Sequence, residues 1–474
     1  MARINTNIGA LAAQRHLARS NQDLNVTIQR LASGLRITRG ADDPAGLIAS
    51  ERLRSEIKSV KQAISNTQRA SNIISTTEGA LDEVASLLTD IQDLIVEAAN
   101  EGALSEDEIK ANQLQVDSSI KSITRIANST TFAGHQLLNG SLDYVTSGVN
   151  DSEIAALDIQ GAQFGTRSYI PVEVDVTTAA EKAQLTYGAS TIVSAITVEV
   201  QGNTGTTTLS FAAGTSAAKA VDAFNSISDT TGVMATYLST PPSFILESEL
   251  LGSRQFVAVN KLPGGGTLPL QDRNGTTVKR TVGIDAIAQV NGAMTFGDGN
   301  DLTLKTASLD MVVSLDQSFR TGTTSFSITG GGALFQVGPQ VNANLQVNMG
   351  VQSVAATRLG NSALGFMSQV QSGGSYSLVA GEYQQGQRIV TEAIRQISIL
   401  RGRLGAFEKD TLDTNVAQLG ITMENLMASE SAIRDADFAS ETTELTRTQI
   451  LVNAGTSVLA MAQQANQSVL ALLG

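Results

Sequence analysis

A stripe of aliphatic residues at coiled-coil spacing runs through each end of this 474-residue chain, and neither end can bury its own stripe. Near the start, Leu17, Leu24, Ile28, Leu31 and Leu35 recur 7, 4, 3 and 4 residues apart; near the finish, Leu445, Val452 and Leu459 keep a spacing of seven. Ordering a helix of roughly 35 residues costs on the order of 1–2 kcal/mol per residue in backbone entropy. Burying about five to eight aliphatic side chains returns roughly 1.5–3 kcal/mol each, before helix hydrogen bonding is counted. Each end therefore needs a partner: the other end, which brings the two ends of the chain together, or copies of itself in a polymer. Aromatic residues are 4% of the chain and almost none stand in the stripes, as expected for knobs-into-holes packing of Leu, Ile, Val and Ala. The core of an ordinary helical bundle carries the same pattern.

Between the ends the texture changes. Residues from about 4 to 128 read as helix almost throughout, with Asp42-Asp43-Pro44 supplying an N-cap and a first-turn proline. Ile57, Val60 and Ile64, then Val84, Leu88, Ile91 and Ile95, carry the next helix. After Asn100-Glu101-Gly102, Ser105 and Glu108 form a capping-box pair ahead of Val116, Ile120 and Ile123. From about 140 to 345, short β-type runs alternate with Gly, Asn, Asp and Pro; Thr197–Val200 and Thr206–Phe211 read as a hairpin, and Ala217–Ile227 as a short helix. The glycine runs at 264–266 and 330–332 read as loops. Helix returns from about 387, with Val390, Ile394 and Ile397, then Leu412, Val416, Leu419, Met423 and Leu426. The expected class is α+β, a paired helical coiled-coil bundle around a central β-rich insert, and the length suggests roughly two to four domains.

Most site chemistry is missing. Without cysteine there is no disulfide framework, zinc ribbon or thiol nucleophile, and His16 and His135 stand far apart. A net charge of -13 argues against a nucleic-acid footprint. The opening MARINTNIGALAAQRHLARS lacks a continuous apolar run, so a secretory signal is not expected. From Thr448 to Gly474 no residue is charged, but Gln449, Asn453, Gln463, Gln464, Asn466 and Gln467 recur there and fit a protein-buried helix better than a membrane tail. Neither a phosphate loop nor an H-E-x-x-H pattern occurs. Gly297–Leu302 looks somewhat like one turn of a calcium-binding repeat, yet a single copy reads as a hairpin turn. Ten acids between Glu78 and Glu108 read as a solvated face rather than an acid–base pair. No catalytic constellation, cofactor site or metal site is expected, and the chain does not read as an enzyme.

Several long segments resemble the bacterial flagellins. LASGLRITRGADDPAGLIASERLRSEI at 31–57 is similar to the N-terminal flagellin signature, INTN at 4–7 to the family's start, and Thr76–Leu81 to a further segment. ESAIRDADFASETTELTRTQILVNAGTSVLAMAQQANQSVLALL at 430–473 is similar to the flagellin C-terminus, and 196–238 to an insert module of flagellins and hook proteins. The resemblance implies a structural subunit exported unfolded without a cleaved signal, polymerising into an extracellular helical filament for motility. It also implies an inner coiled-coil core from 1–40 plus 431–474, a rod from 41–165 plus 345–430, and an outer insert from 166–344. Leu17, Leu24, Ile28, Leu31, Leu35, Leu445, Val452 and Leu459 are expected to carry the polymer packing. Export apparatus, chaperone, cap and hook-associated proteins are the implied partners.

Two other readings share parts of this pattern. A hook–filament junction protein has similar terminal helices, although Gly455–Leu459 and Asn466–Leu470 look more like flagellin. An adhesin or glycan-binding role for the insert would call for clustered exposed aromatics, whereas Tyr169, Tyr187 and Tyr237 are scattered. Many flagellins engage an animal innate-immune receptor through a basic residue, a leucine and a glutamate. With a one-residue insertion near Gly102, those places hold Asp90, Leu94 and Gln115, which argues against that receptor. Asn128-Ser129-Thr130 and Asn139-Gly140-Ser141 fit glycosylation sequons without showing modification.

Overall fold

The computed structural model describes residues 6–165, 167–306, 308–362 and 364–471, with side chains as far as 464. Ile4 and Asn5 of the opening motif, and the side chains of Asn466–Leu470, lie outside the described residues. The α-helices are α1 (Ile8–Ser33), α2 (Pro44–Ala98), α3 (Glu106–Ser129), α4 (Ala217–Asn225), α5 (Ser228–Thr231), α6 (Tyr383–Ala406), α7 (Thr414–Arg434) and α8 (Phe438–Ala471). Two compact units arise: Met1–Arg69 with Gln336–Val341 and Lys409–Gly474, and Ala70–Phe335 with Asn342–Glu408.

In the first unit α1 and α8 run antiparallel. Asn7 Nδ2 donates to the Ala462 carbonyl at 2.7 Å, Leu17 meets Gly455, and Arg30 pairs with Glu441 at 3.3 Å. Asn7 caps α1 by accepting from the Ala10 N–H, and the helix stops where Gly34 adopts φ +71° and donates to the Arg30 carbonyl. Leu35 is therefore past the helix end, where it bridges Asp435, and the expected stripe stops at Leu31. Main-chain bonds from Arg36 to Arg434 (2.7 Å) and from Ala436 to Gly34 (2.9 Å) tie the two connecting segments together. Asp42 accepts from both N–H groups and the hydroxyl of Thr38-Arg39, and these bonds, the Arg39 N–H foremost, hold its carboxyl below the usual aspartate value. Asp43 accepts from the Gly46 N–H at 2.9 Å and Pro44 opens α2, the start read from the sequence.

Helix α2 has a buried seam that steps 3 and 4 residues without interruption: Val60, Ala63, Thr67, Ala70, Ile74, Thr77, Leu81, Val84, Leu88, Ile91, Ile95 and Ala98, none more than 2% exposed. Its stretch in the first unit packs Val60 and Ala63 on Leu419 of α7, with Ile64, Met423 and Leu426 alongside. In the second unit α6 runs antiparallel to it, with Gly386 near Ile95, Arg401 on Asp82 at 2.9 Å, and Glu408 accepting from Ser71 and Ser75. Between α6 and α7 a π-helical turn, Phe407–Asp413, changes the phase: buried Leu404 and Leu412 are eight residues apart where the heptad asks for seven. The capping box at Ser105 and Glu108 is formed.

The strand-rich part of the second unit has two cores. An eight-stranded antiparallel sheet encloses Val172, Val174, Met311, Val313, Phe326 and Ile328. Two four-stranded sheets and α4 enclose Phe224, Phe244, Leu185, Val198 and Val257. The 196–201 and 206–211 strands pair as the hairpin expected from their alternation. Gly264 and Gly265, read from sequence as a loop, instead end the strand Phe256–Gly265, which pairs Gly265 with Ile196 after a register shift. Gly265 takes φ +93°, and a Cβ there would stand 2.6 Å from the Ala195 carbonyl, so only glycine fits. Gly330 and Gly331 likewise finish the strand Gly322–Gly331.

Candidate polymerisation interface

Facing seams hold α1 and α8 together. On α1 the buried or half-buried positions include Ala10, Ala13, Leu17, Ser20, Leu24, Thr27 and Leu31; on α8, Glu441, Leu445, Thr448, Val452, Gly455, Leu459 and Ala462. Both series step 3 and 4. The structure thus brings six of the sequence-derived residues, Leu17, Leu24, Leu31, Leu445, Val452 and Leu459, onto one intramolecular seam. Ile28 stands outside it, 47% exposed, because one residue further round the helix Thr27 takes the inward place.

The seam is thin. Among the described residues along it, Ala13, Thr27 and Thr448 alone are buried, and the leucines and valine remain half open. Among the described residues each helix also exposes apolar side chains away from this seam: Ile8, Leu11 and Ile28 on α1, and Ile450, Leu451, Val458 and Met461 on α8. Ile8, Leu11, Gln14, Arg15 and Ala18 line a shallow groove on α1. Sequence reasoning counted Ile28 with the seam and missed Ile8, Leu11, Ile450, Leu451, Val458 and Met461 by following the spacing of seven; Ile450 and Leu451 beside Val452, in a stretch free of charge, were the available signal.

Other sequence candidates are placed elsewhere. Gly299 and Asn300 form the turn of a hairpin that pairs Asp298 with Asp301, and Arg254 engages Asp298 at 2.7 Å. His16 and His135 are exposed. Asp90 and Gln115 are exposed and Leu94 is half-buried. Among the described residues no three metal-binding side chains cluster, and no helix is long and apolar enough to cross a membrane.

The profile of the bacterial flagellin N-terminal helical region matches residues 4–143, that of the flagellin C-terminal helical region 387–473, and the flagellin hook IN motif 195–249. The chain belongs to the bacterial flagellins. A flagellin from Salmonella rubislaw is 27% identical and flagellin A from Vibrio cholerae 28% identical, each alignment covering 99% of both proteins. A hook-associated protein 3 from Legionella pneumophila overlays 81% of this chain and 98% of its own at 12% identity and a TM-score of 0.32. As a flagellin, the chain is a structural subunit of the flagellar filament, an extracellular assembly, and the two open helix faces lie on the parts that the N- and C-terminal profiles cover.

Proposed function

We propose that this subunit joins its filament through the open faces of the α1–α8 pair, after the two ends have zipped together along Leu17, Leu24, Leu31, Leu445, Val452 and Leu459. The observation that supports this reading is the apolar face Ile450, Leu451, Val458 and Met461, left uncovered on a helix whose opposite face is already in use. Head-to-tail contacts that do not close on themselves build a helical polymer, and ends that are marginal alone gain order on joining it. In this reading 1–40 and 431–474 form the filament core, 41–165 and 345–430 a rod around it, and 166–344 an outward insert. Export as an unfolded chain through the flagellar channel, with chaperone, cap and hook-associated partners, follows the family; Asp90 and Gln115 at the innate-immune receptor's places argue against that partner. Neither catalysis nor a cofactor enters the role.

Negative-stain microscopy of seeded assembly tests it. Leu451→Asp, on the open face, should keep the helix content of the dispersed chain and stop filament growth. Leu24→Asp and Val452→Asp, on the seam, should unpair the ends and stop it as well. Normal filaments from Leu451→Asp would overturn the open face, and normal filaments from both seam variants would overturn the zipped core.

A further inference from the structure

The strand Val233–Ser239 is an edge of its four-stranded sheet, paired on one side with Pro242–Leu251. Such an edge offers a row of N–H and C=O groups to any passing strand, and sheets without charge or proline there are prone to strand addition. This one has neither: its sequence is VMATYLS, with Met234, Tyr237 and Leu238 exposed.

Asn225 occupies that edge as a strand would. Its Nδ2 donates to the Ala235 carbonyl at 3.0 Å, and its Oδ1 accepts from the Ala235 N–H at 2.7 Å, so one side-chain amide satisfies both outward groups of one residue. Just before it, the Thr231 hydroxyl accepts from the Val233 N–H at 3.3 Å. Because Ala235 turns its main chain outward, the pairing period of two turns Tyr237 outward too, and among the described residues its N–H and C=O have no partner. Asn225 ends α4, which Ala217, Ala220, Val221 and Phe224 lock into the core beneath, so the amide is held at a fixed place.

We propose that Asn225 closes this edge against strand addition by a second copy of the same chain. A filament subunit repeats its surface at regular intervals, so the strand edge most concentrated near Val233–Ser239 is another copy's. This inference rests on the outward placement of the insert.

The test compares filaments of the full chain, wild type, Asn225→Ala and the double variant Asn225→Ala/Tyr237→Pro, by electron microscopy. Proline at 237 removes an N–H that points away from the ladder and blocks the edge without breaking the pair with 242–251. Wild-type filaments should lie apart, Asn225→Ala filaments should bundle side by side, and the double variant should separate again. Separate Asn225→Ala filaments of a folded subunit, or bundles that persist in the double variant, would overturn the proposal. Amide exchange in the wild type decides the matter if Asn225→Ala does not fold: Tyr237 should exchange at least about tenfold faster than Ala235, and equal protection would overturn it. Should the wild type form no filaments at all, the filament placement fails, and sedimentation of the same three dispersed chains still decides the edge.

Discussion

Gly455 of α8 lies so close to Leu17 of α1 that a Cβ on the glycine would stand 3.2 Å from Leu17 Cδ1. That contact sets how near the two ends of the chain can approach. Alanine asks only the tip of a flexible leucine to give by a few tenths of an ångström, and it favours helix over glycine by roughly 1 kcal/mol. Gly455→Ala should therefore leave the thermal dissociation of filaments near the wild-type value or slightly above it. Leucine at the same place cannot fit without parting the helices, so Gly455→Leu should dissociate at distinctly lower temperature in a scan followed by circular dichroism. Equal stability of the leucine variant would show that the ends do not meet this closely.

The seam of α2 contains two threonines with different surroundings. Thr77 Oγ1 donates to the Ile73 carbonyl of its own helix, which already has its helical bond, and the side chain is 2% exposed. Thr77→Val should raise stability by about 0.8 kcal/mol through the added buried carbon. Thr67 Oγ1 donates likewise to the Ala63 carbonyl at 2.9 Å but also accepts from Asn415 Nδ2 at 3.3 Å, and Asn415 donates in turn to the Val337 carbonyl at 2.8 Å. Thr67→Val breaks that link and should sit about 1 kcal/mol below Thr77→Val in denaturant unfolding. Equal effects would mean the Asn415 contact contributes nothing.

Those same threonines show where the sequence was legible and where it was not. Aliphatic spacing exposed Val84, Leu88, Ile91 and Ile95, but the heptad of α2 is completed by Ala63, Thr67, Ala70 and Thr77, which an apolar count passes over. Helix starts were readable because capping is local: Asp43 before Pro44, and Ser105 with Glu108. The end of α1 turned on Gly34 in a left-handed conformation, a signal present in the sequence beside Leu35 but outweighed by the stripe. The spacing of seven did mark the paired face of α8 through Leu445, Val452 and Leu459, but it said nothing of the other face, where Ile450 and Leu451 adjoin Val452 with like chemistry and stay exposed.

Asp143 gives a pH dependence of one sign. Burial pushes its carboxyl above the usual aspartate value, with the charge of Asp158 adding to the effect against the Tyr144 N–H and Arg358 and Arg403. Tyr144 beside it is pushed up to about 12, again by burial. A carboxyl raised on folding favours the protonated native state, so its contribution is complete below the unfolded value of 3.8 and is lost as pH rises through the raised one. Asp143→Asn keeps an oxygen to accept from the Tyr144 N–H, 2.8 Å away, and sheds the charge. The variant should melt about 2 °C above wild type at pH 7, and the two should converge near pH 3. A lower melting temperature at pH 7 would contradict this.

Asp42 gives the opposite sign in the segment that joins α1 to α2. Its Oδ2 accepts from the Thr38 N–H at 3.0 Å, the Thr38 hydroxyl at 2.9 Å and the Arg39 N–H at 2.9 Å, and the carboxyl is held below its ordinary value by those bonds. A depressed carboxyl contributes fully above the unfolded value of 3.8 and is lost as pH falls through the lowered one. Acid should therefore loosen this turn before it unfolds the buried seam of α2, whose Leu81 and Leu88 carry no titrating group. Asp42→Ala should reproduce the acid state at pH 7, with the Thr38 and Arg39 amides exchanging faster while those of Leu81 and Leu88 stay protected. Protection of Thr38 and Arg39 unchanged in that variant would place the order of this turn elsewhere, in the Arg36–Arg434 and Ala436–Gly34 main-chain bonds that cross it.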